Sequence, residues 1–188
     1  MVKMKKNILI INICKEKLHY YEFVKPIEDI LKINNVGFFI KNYKEINDKD
    51  LKRAVKIIIC GTSLKDNKFI NNKNINKFNW LLTYNKPILG ICGGMEIIGL
   101  VFNGKLKKKT EIGFFYESFE KNFLGLNGNC GVYHLHNYYI DFSGLDFDIY
   151  CFSNKIVQAI KHKSKEIYGV LFHPEVRQKK LIKEVCRI

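Results

Sequence analysis

Residues 87–99 read Pro-Ile-Leu-Gly-Ile-Cys-Gly-Gly-Met-Glu-Ile-Ile-Gly, and this order wedges one cysteine between a short apolar run and a stretch of helical character. A buried strand that passes at once into a helix must turn sharply, and the glycines around Cys92 permit such a turn. Cys92 then reads in two ways. It is a structural thiol packed like a small hydrophobe, or it is a nucleophile lifted on a strained elbow, where a helix N-terminus favours the thiolate.

Working outward, NILIINI (7–13) is a continuous apolar run suited to a strand buried on both faces, VGFFIKNY (36–43) reads as the next strand, VKIIICG (55–61) as a third, buried one and KPILGIC (86–92) as the fourth. Between them, FVKPIEDILKINN (23–35) sets Val24, Ile27, Ile30 and Leu31 at helical spacing. INDKDLKRA (46–54) reads as a short helix with a polar start, and NKFNWLLTYN (76–85) as a third helix. The order β, α, β, α, β, α, β predicts an α/β fold: a doubly wound, mostly parallel open sheet with flanking helices. After Asn103 the pattern becomes strand-rich, through EIGFFYESF (111–119), GVYHLHNYYIDF (131–142), FDIYCFSN (147–154) and IVQAIKH (156–162). A last strand, IYGVLFHPE (167–175), runs into a terminal helix from Arg177. No internal repeat or linker breaks the chain, so residues 1–188 are expected to form one domain.

Bulk properties narrow the function. With 188 residues, 47% of them hydrophobic, the chain can bury a proper core, which excludes a disordered protein. Six cysteines without a C-x-x-C pair, and a basic Met1–Lys6 segment unlike a signal peptide, predict a reduced cytoplasmic protein. No apolar run approaches the roughly 18–20 residues that span a bilayer. The formal charge of +14 is spread along the chain apart from Lys105-Leu106-Lys107-Lys108-Lys109. With no nucleic-acid motif beside it, that charge reads as a solvated or docking face, and nucleic acid is not expected as a partner.

A reactive Cys92 needs a base. His173 lies at the end of another expected strand, and a parallel sheet gathers the C-terminal ends of its strands on one edge. Glu175 follows two residues later, and Pro174 holds the chain extended between them, so the carboxylate can reach back to fix the imidazole tautomer. Otherwise the two residues simply end a strand. His134 and His136 fall on one strand face, but with no third ligand in view they read as surface or core histidines. No metal and no cofactor are expected.

GICGGME (90–96) with YGVLFHPE (168–175) resembles the class I glutamine amidotransferases, whose motifs run G-[IV]-C-x-G-x-[QE] and G-V-x-F-H-P-E. VKIIICGTS stands where that family has its oxyanion strand, and NGKLKKKTEIGF where it has a Gly-Gly-x-(basic)-E-x-G segment. IVQAIKHKSKEIYGVLFHPEV is similar to the small glutaminase subunits of GMP synthetase. The resemblance implies a flavodoxin-like fold with Cys92 as nucleophile, His173 as general base and Glu175 as its orienting partner. It implies an oxyanion hole from the Gly61-Thr62 loop and the N–H of Gly93, and substrate contacts from Met95, Glu96, Leu135 and His136. It further implies glutamine as substrate and a separate ATP-dependent synthetase as the partner that receives ammonia.

Some positions depart from the family pattern. The S-G-G-P end of the oxyanion strand is here Cys60-Gly61-Thr62-Ser63, and a β-branched Thr62 is expected to resist positive φ and restrain the loop. Glu96 stands where Gln is usual, as in the γ-glutamyl hydrolase branch, and the first loop lacks the opening of the GMP synthetase subunits. A stand-alone γ-glutamyl or amide hydrolase therefore stays open beside the glutaminase, as does a non-catalytic regulator.

Overall fold

The computed structural model describes residues 7–188, so the Met1–Lys6 reading lies outside the described residues. Strand β1 (Asn7–Asn12) leads through α1 (Lys17–His19), a π-helical turn (Tyr20–Val24) and α2 (Lys25–Ile33) to β2 (Phe38–Asn42). Then come α3 (Asp48–Arg53), β3 (Ala54–Ile59), α4 (Asn72–Ile75), a 3-10 segment (Asn76–Leu82), β4 (Ile88–Ile91) and α5 (Gly93–Val101). A long hairpin, β5 (Lys105–Phe123) and β6 (Leu126–Asp141), precedes β7 (Phe147–Ser153), β8 (Ile156–His162), β9 (Ile167–Val170) and α6 (Lys179–Arg187).

Seven strands form one sheet in the order β2-β1-β3-β4-β9-β8-β7, parallel from β2 to β9 and antiparallel at β8 and β7. The expected doubly wound, mostly parallel sheet is thus the observed one, and β5 and β6 pair separately as a two-stranded ribbon. The period-2 rule divides each central strand between two cores. Ile8, Ile10, Ile58, Leu89 and Ile91 face Val24, Ile27 and Leu31, which lie on or beside α2, and Leu181, Ile182 and Val185 of α6. Leu9, Ile11, Ile57, Ile59 and Ile88 face Met95, Ile97 and Ile98 of α5 with Phe78 and Leu81. Each of these side chains contributes about 1.5–3 kcal/mol when fully buried.

Local chemistry sets the boundaries. Asn47 caps α3 by accepting from Lys49 and Asp50 backbone N–H groups, and the Asp50 carboxylate in turn accepts from the Asn47 N–H. The segment expected as a third α-helix is 3-10 over Asn76–Leu82, where the buried pair Phe78 and Leu81 is spaced by three, the period of that tighter helix. The terminal helix starts at Lys179, two residues after the expected Arg177, and the last strand stops at Val170, which leaves His173 on a loop. Among the described residues no helix is long and apolar enough to cross a membrane.

Candidate active site

Strands β4 and β9 are neighbours, with Ile91 opposite Val170, and the N–H of Cys92 donates to the Val170 carbonyl at 2.8 Å. The two chain segments therefore leave the sheet side by side, one into Cys92 and the other into His173. Cys92 has φ 49° and ψ −108°, a conformation that costs a non-glycine residue of order 1–3 kcal/mol. Close packing of α5 holds it there: a Cβ at Gly94 would meet the Ile59 carbonyl oxygen at 2.3 Å. Gly93 opens α5, so its N–H falls outside the helical ladder.

His173 Nδ1 lies 2.7 Å from Glu175 Oε1, and both side chains are buried. The His173 backbone N–H donates to the Tyr133 carbonyl at 2.8 Å, and the ring packs against Phe23 at 5.4 Å. Its Nε2 is buried without a nitrogen or oxygen partner among the described residues, and the Cys92 thiol and the ring each act on the other's ionisation. Burial opposes the imidazolium, but the Glu175 carboxylate and then Cys92 outweigh it, and the affinity of His173 for a proton is raised well above its ordinary range. Burial pushes the Cys92 thiol up, and His173 draws it back down. Sγ donates to the Leu135 carbonyl at 3.5 Å.

A family model for class I glutamine amidotransferases matches residues 20–187. The chain belongs to the class I glutamine amidotransferase family. A GMP synthase (glutamine-hydrolyzing) subunit from Methanobrevibacter smithii is 32% identical over 177 residues, covering 90% of this chain and 86% of that protein. The corresponding Methanococcus aeolicus protein is 29% identical over 182 residues, 85% of this chain and 96% of its own length. The longer GMP synthase of Spiroplasma kunkelii is 37% identical over 95 residues, 48% of this chain and only 19% of that enzyme. Among solved structures, a candidate GMP synthase subunit from Thermoplasma acidophilum superposes with a TM-score of 0.81 at 22% identity, covering 96% of this chain and 92% of its own. The likeness at that identity concerns the fold.

The other expected residues of this amidotransferase are distributed unevenly. Glu96, Gly93, Thr62, Leu135 and His136 line one crevice with Cys92, whereas Met95 turns its side chain to β9 and the core against Gly169. One residue along a helix is a rotation of about 100°, which separates the Met95 side chain from that of Glu96. Gly61 packs against both partners of the pair: a Cβ there would stand 2.6 Å from His173 Cε1 and 3.2 Å from Cys92 Cβ. Burial pushes the Glu96 carboxyl up to about 8, and His173 pulls against that shift.

Side-chain contacts hold the Gly61-Thr62 loop in place. Neither Gly61 nor Thr62 lies at positive φ; the strained non-glycine conformation of the site is at Cys92. Thr62 Oγ1 donates to Asp66 Oδ2 at 3.0 Å, and Asp66 also accepts from the Lys15 N–H, which ties the loop to the end of β1. The Gly61 carbonyl accepts from Cys14 Sγ at 3.7 Å, on the β1 side of β3. In a trans peptide the Thr62 N–H points away from the Gly61 carbonyl and so from Cys14.

The crevice itself is nearly shut, with a volume of about 20 Å³, room for little more than a water. Across the wall made by Ser63, Leu64 and Asp66 lies an open cavity of about 680 Å³. The lysine run is elsewhere. Lys105 begins β5 beyond the far end of α5, a nine-residue helix about 13 Å long, so it does not share the Cys92 edge of the sheet. Within the run, Lys107 pairs with Asp141 at 2.7 Å and Lys109 donates to the Asn154 carbonyl.

Sequence reasoning passed over two groups. Phe23 touches His173 because a π-helical turn, a feature often found at functional sites, lies just before α2. Glu111 is the pairing partner of His136 across the hairpin, and its place in the E-x-G segment was the available signal.

Proposed function

We propose that this chain is a glutaminase that hydrolyses the glutamine side-chain amide through a thioester on Cys92 and delivers the ammonia to a separate ATP-dependent synthetase. The observation that carries this reading is the strained elbow at Cys92 beside a histidine oriented by a buried carboxylate 2.7 Å away. An amide is a weak electrophile with a poor leaving group, so each group has a task. His173 Nε2 takes the thiol proton, the thiolate adds to the amide carbon, and negative charge moves to the amide oxygen. The N–H groups of Gly93 and Thr62 receive that charge at the start of α5. His173 then returns the proton to the nitrogen, the C–N bond breaks, and ammonia leaves a thioester behind. Water gives a proton to His173 and adds to the thioester, releasing glutamate and restoring the thiol. Glu175 holds the tautomer with Nδ1–H toward itself throughout.

The relatives called GMP synthase subunits support the amination of a GMP precursor as the step that consumes the ammonia. The shut crevice supports restraint of the isolated chain, since a glutamine side chain does not fit in 20 Å³ and the Ser63–Asp66 wall must move to admit it. Ammonia and glutamate release, measured with and without the synthetase and its substrates, tests this. A slow isolated chain that speeds up at least tenfold with the partner is expected. Glu96, a buried carboxyl held protonated in the crevice, favours the γ-glutamyl hydrolase as second reading. Full-speed cleavage of γ-glutamyl peptides without any partner would establish that one instead.

A further inference from the structure

Behind the crevice, the inner face of the β5–β6 hairpin buries Glu111, His134 and His136, each exposed by 4% or less. One ligand atom from each of the three lies within 4.8 Å of the other two. His136 Nε2 is 3.2 Å from Glu111 Oε2, and His134 Nδ1 is 3.9 Å from that same oxygen. The second distance is too long for a hydrogen bond, and His134 Nδ1 has no partner among the described residues. A buried imidazole nitrogen turned to a carboxylate at that range leaves space for an ion between them. Tetrahedral ligands about 2.1 Å from zinc stand about 3.4 Å from one another, which falls between these separations.

The groups around the three fit the same reading. His134 Nε2 is 3.0 Å from Glu117 Oε1, so the ring gives its other N–H to a buried carboxylate, the arrangement that orients metal-bound histidines. Asn154 Nδ2 donates to Glu111 Oε1 at 3.1 Å and leaves Oε2 to face the histidines. Gln158 on β8 approaches Glu111 Oε2 at 2.8 Å through Nε2, while its Oε1 is buried without a partner. A half-turn of that amide, indistinguishable in shape, presents the oxygen as a fourth donor. Two carboxylates buried beside two histidines also call for a compensating cation.

We infer that Glu111, His134 and His136, with the Gln158 amide oxygen, form a closed structural site for one divalent transition metal of the zinc class, which fastens the hairpin to β8. Two nitrogen and two oxygen donors suit zinc better than calcium or magnesium, and four protein donors leave no open position for chemistry. The site goes beyond the proposed glutaminase reaction, which uses no metal.

Full-length protein stripped with a chelator and then given zinc tests the assignment. One zinc per chain by elemental analysis is expected, with a thermal midpoint at least about 5 °C above the stripped protein. Cobalt in place of zinc should give tetrahedral d–d bands without a thiolate charge-transfer band. His134→Gln and Glu111→Gln should each lose the bound metal and the midpoint rise. No retained zinc, an unchanged midpoint, or a thiolate band would overturn the assignment. Should the variants fail to fold, the comparison of stripped and loaded wild-type protein decides alone.

Discussion

The backbone N–H of His173 donates to the carbonyl of Tyr133 at 2.8 Å, which ties His173 to the hairpin strand β6. Two residues along, the Leu135 carbonyl accepts from Cys92 Sγ at 3.5 Å. The pair thus rests on two supports: the sheet supplies the elbow and the neighbouring strand end, and the hairpin sets the distance between the side chains. A hairpin displaced by an ångström would separate them, a misplacement that costs about 100-fold in rate.

Cys92 should be the only residue of the six cysteines labelled by a glutamine-like diazo-ketone. Cys14, pushed up to about 11 by burial, and the buried Cys60 and Cys151, raised by burial, are poor nucleophiles. A generic alkylating reagent should instead reach the more exposed Cys186 first. Cys92→Ser should lose at least ~1000-fold in turnover. Peptide mapping that finds comparable diazo-ketone label on Cys14, Cys60 or Cys130 would remove Cys92 from the nucleophile role.

Glu175→Gln keeps the shape and removes the charge that orients His173. Turnover should fall by roughly 10³-fold or more with glutamine binding little changed, because the imidazole loses its preferred tautomer and its raised affinity for a proton. Steady-state kinetics separate kcat from KM. Activity within about twofold of the parent would reduce Glu175 to a loop residue.

Gly61→Ala probes the contact between the Gly61-Thr62 loop and His173. The new Cβ would overlap the imidazole, 2.6 Å from His173 Cε1, and push it off Cys92. A loss of about 100-fold in kcat is expected from that misplacement. Unchanged kcat with normal folding by circular dichroism would mean that the loop yields and the ring does not.

The Glu96 carboxyl makes stability depend on pH. Its value rises from 4.5 to about 8 on burial, so between those limits the folded chain holds a proton that the unfolded chain has released. Stability from this group therefore falls as pH rises through the window, and the cost is complete above about 8. Glu96→Gln should barely change the thermal midpoint at pH 5 and raise it at pH 8. A gain of about 2 kcal/mol would appear there as roughly 4–8 °C. An equal shift at both pH values would show that the carboxyl does not titrate in the fold.

The parts of this molecule written in neighbouring residues were legible. The elbow at Cys92 follows from an apolar run meeting glycines, and the His173–Glu175 bond needs only a proline between two side chains. The parallel sheet follows from alternating runs. What depended on three-dimensional register was not legible. The approach of Glu111 to His134 and His136 rests on a pairing that shifts between Lys108 and Glu111, and no spacing along the chain encodes that shift. The Met95 side chain points away from that of Glu96 because a helix turns consecutive residues apart, which a linear motif does not express.

In the two-stranded ribbon, β6 pairs with β5 on one side only, and its other edge offers the carbonyls of Gly131, Tyr133 and Leu135. Gln178 Nε2 takes the first at 2.7 Å, His173 N–H the second and Cys92 Sγ the third. An unpaired strand edge is a template on which a second molecule can add its own strand. Cys92, His173 and the loop that carries Gln178 are therefore also the cover that keeps this edge from recruiting copies of itself. Deletions in that loop that remove His173 and Gln178 should therefore uncover the edge and promote self-association, whereas Glu175→Gln, which leaves the backbone in place, should not.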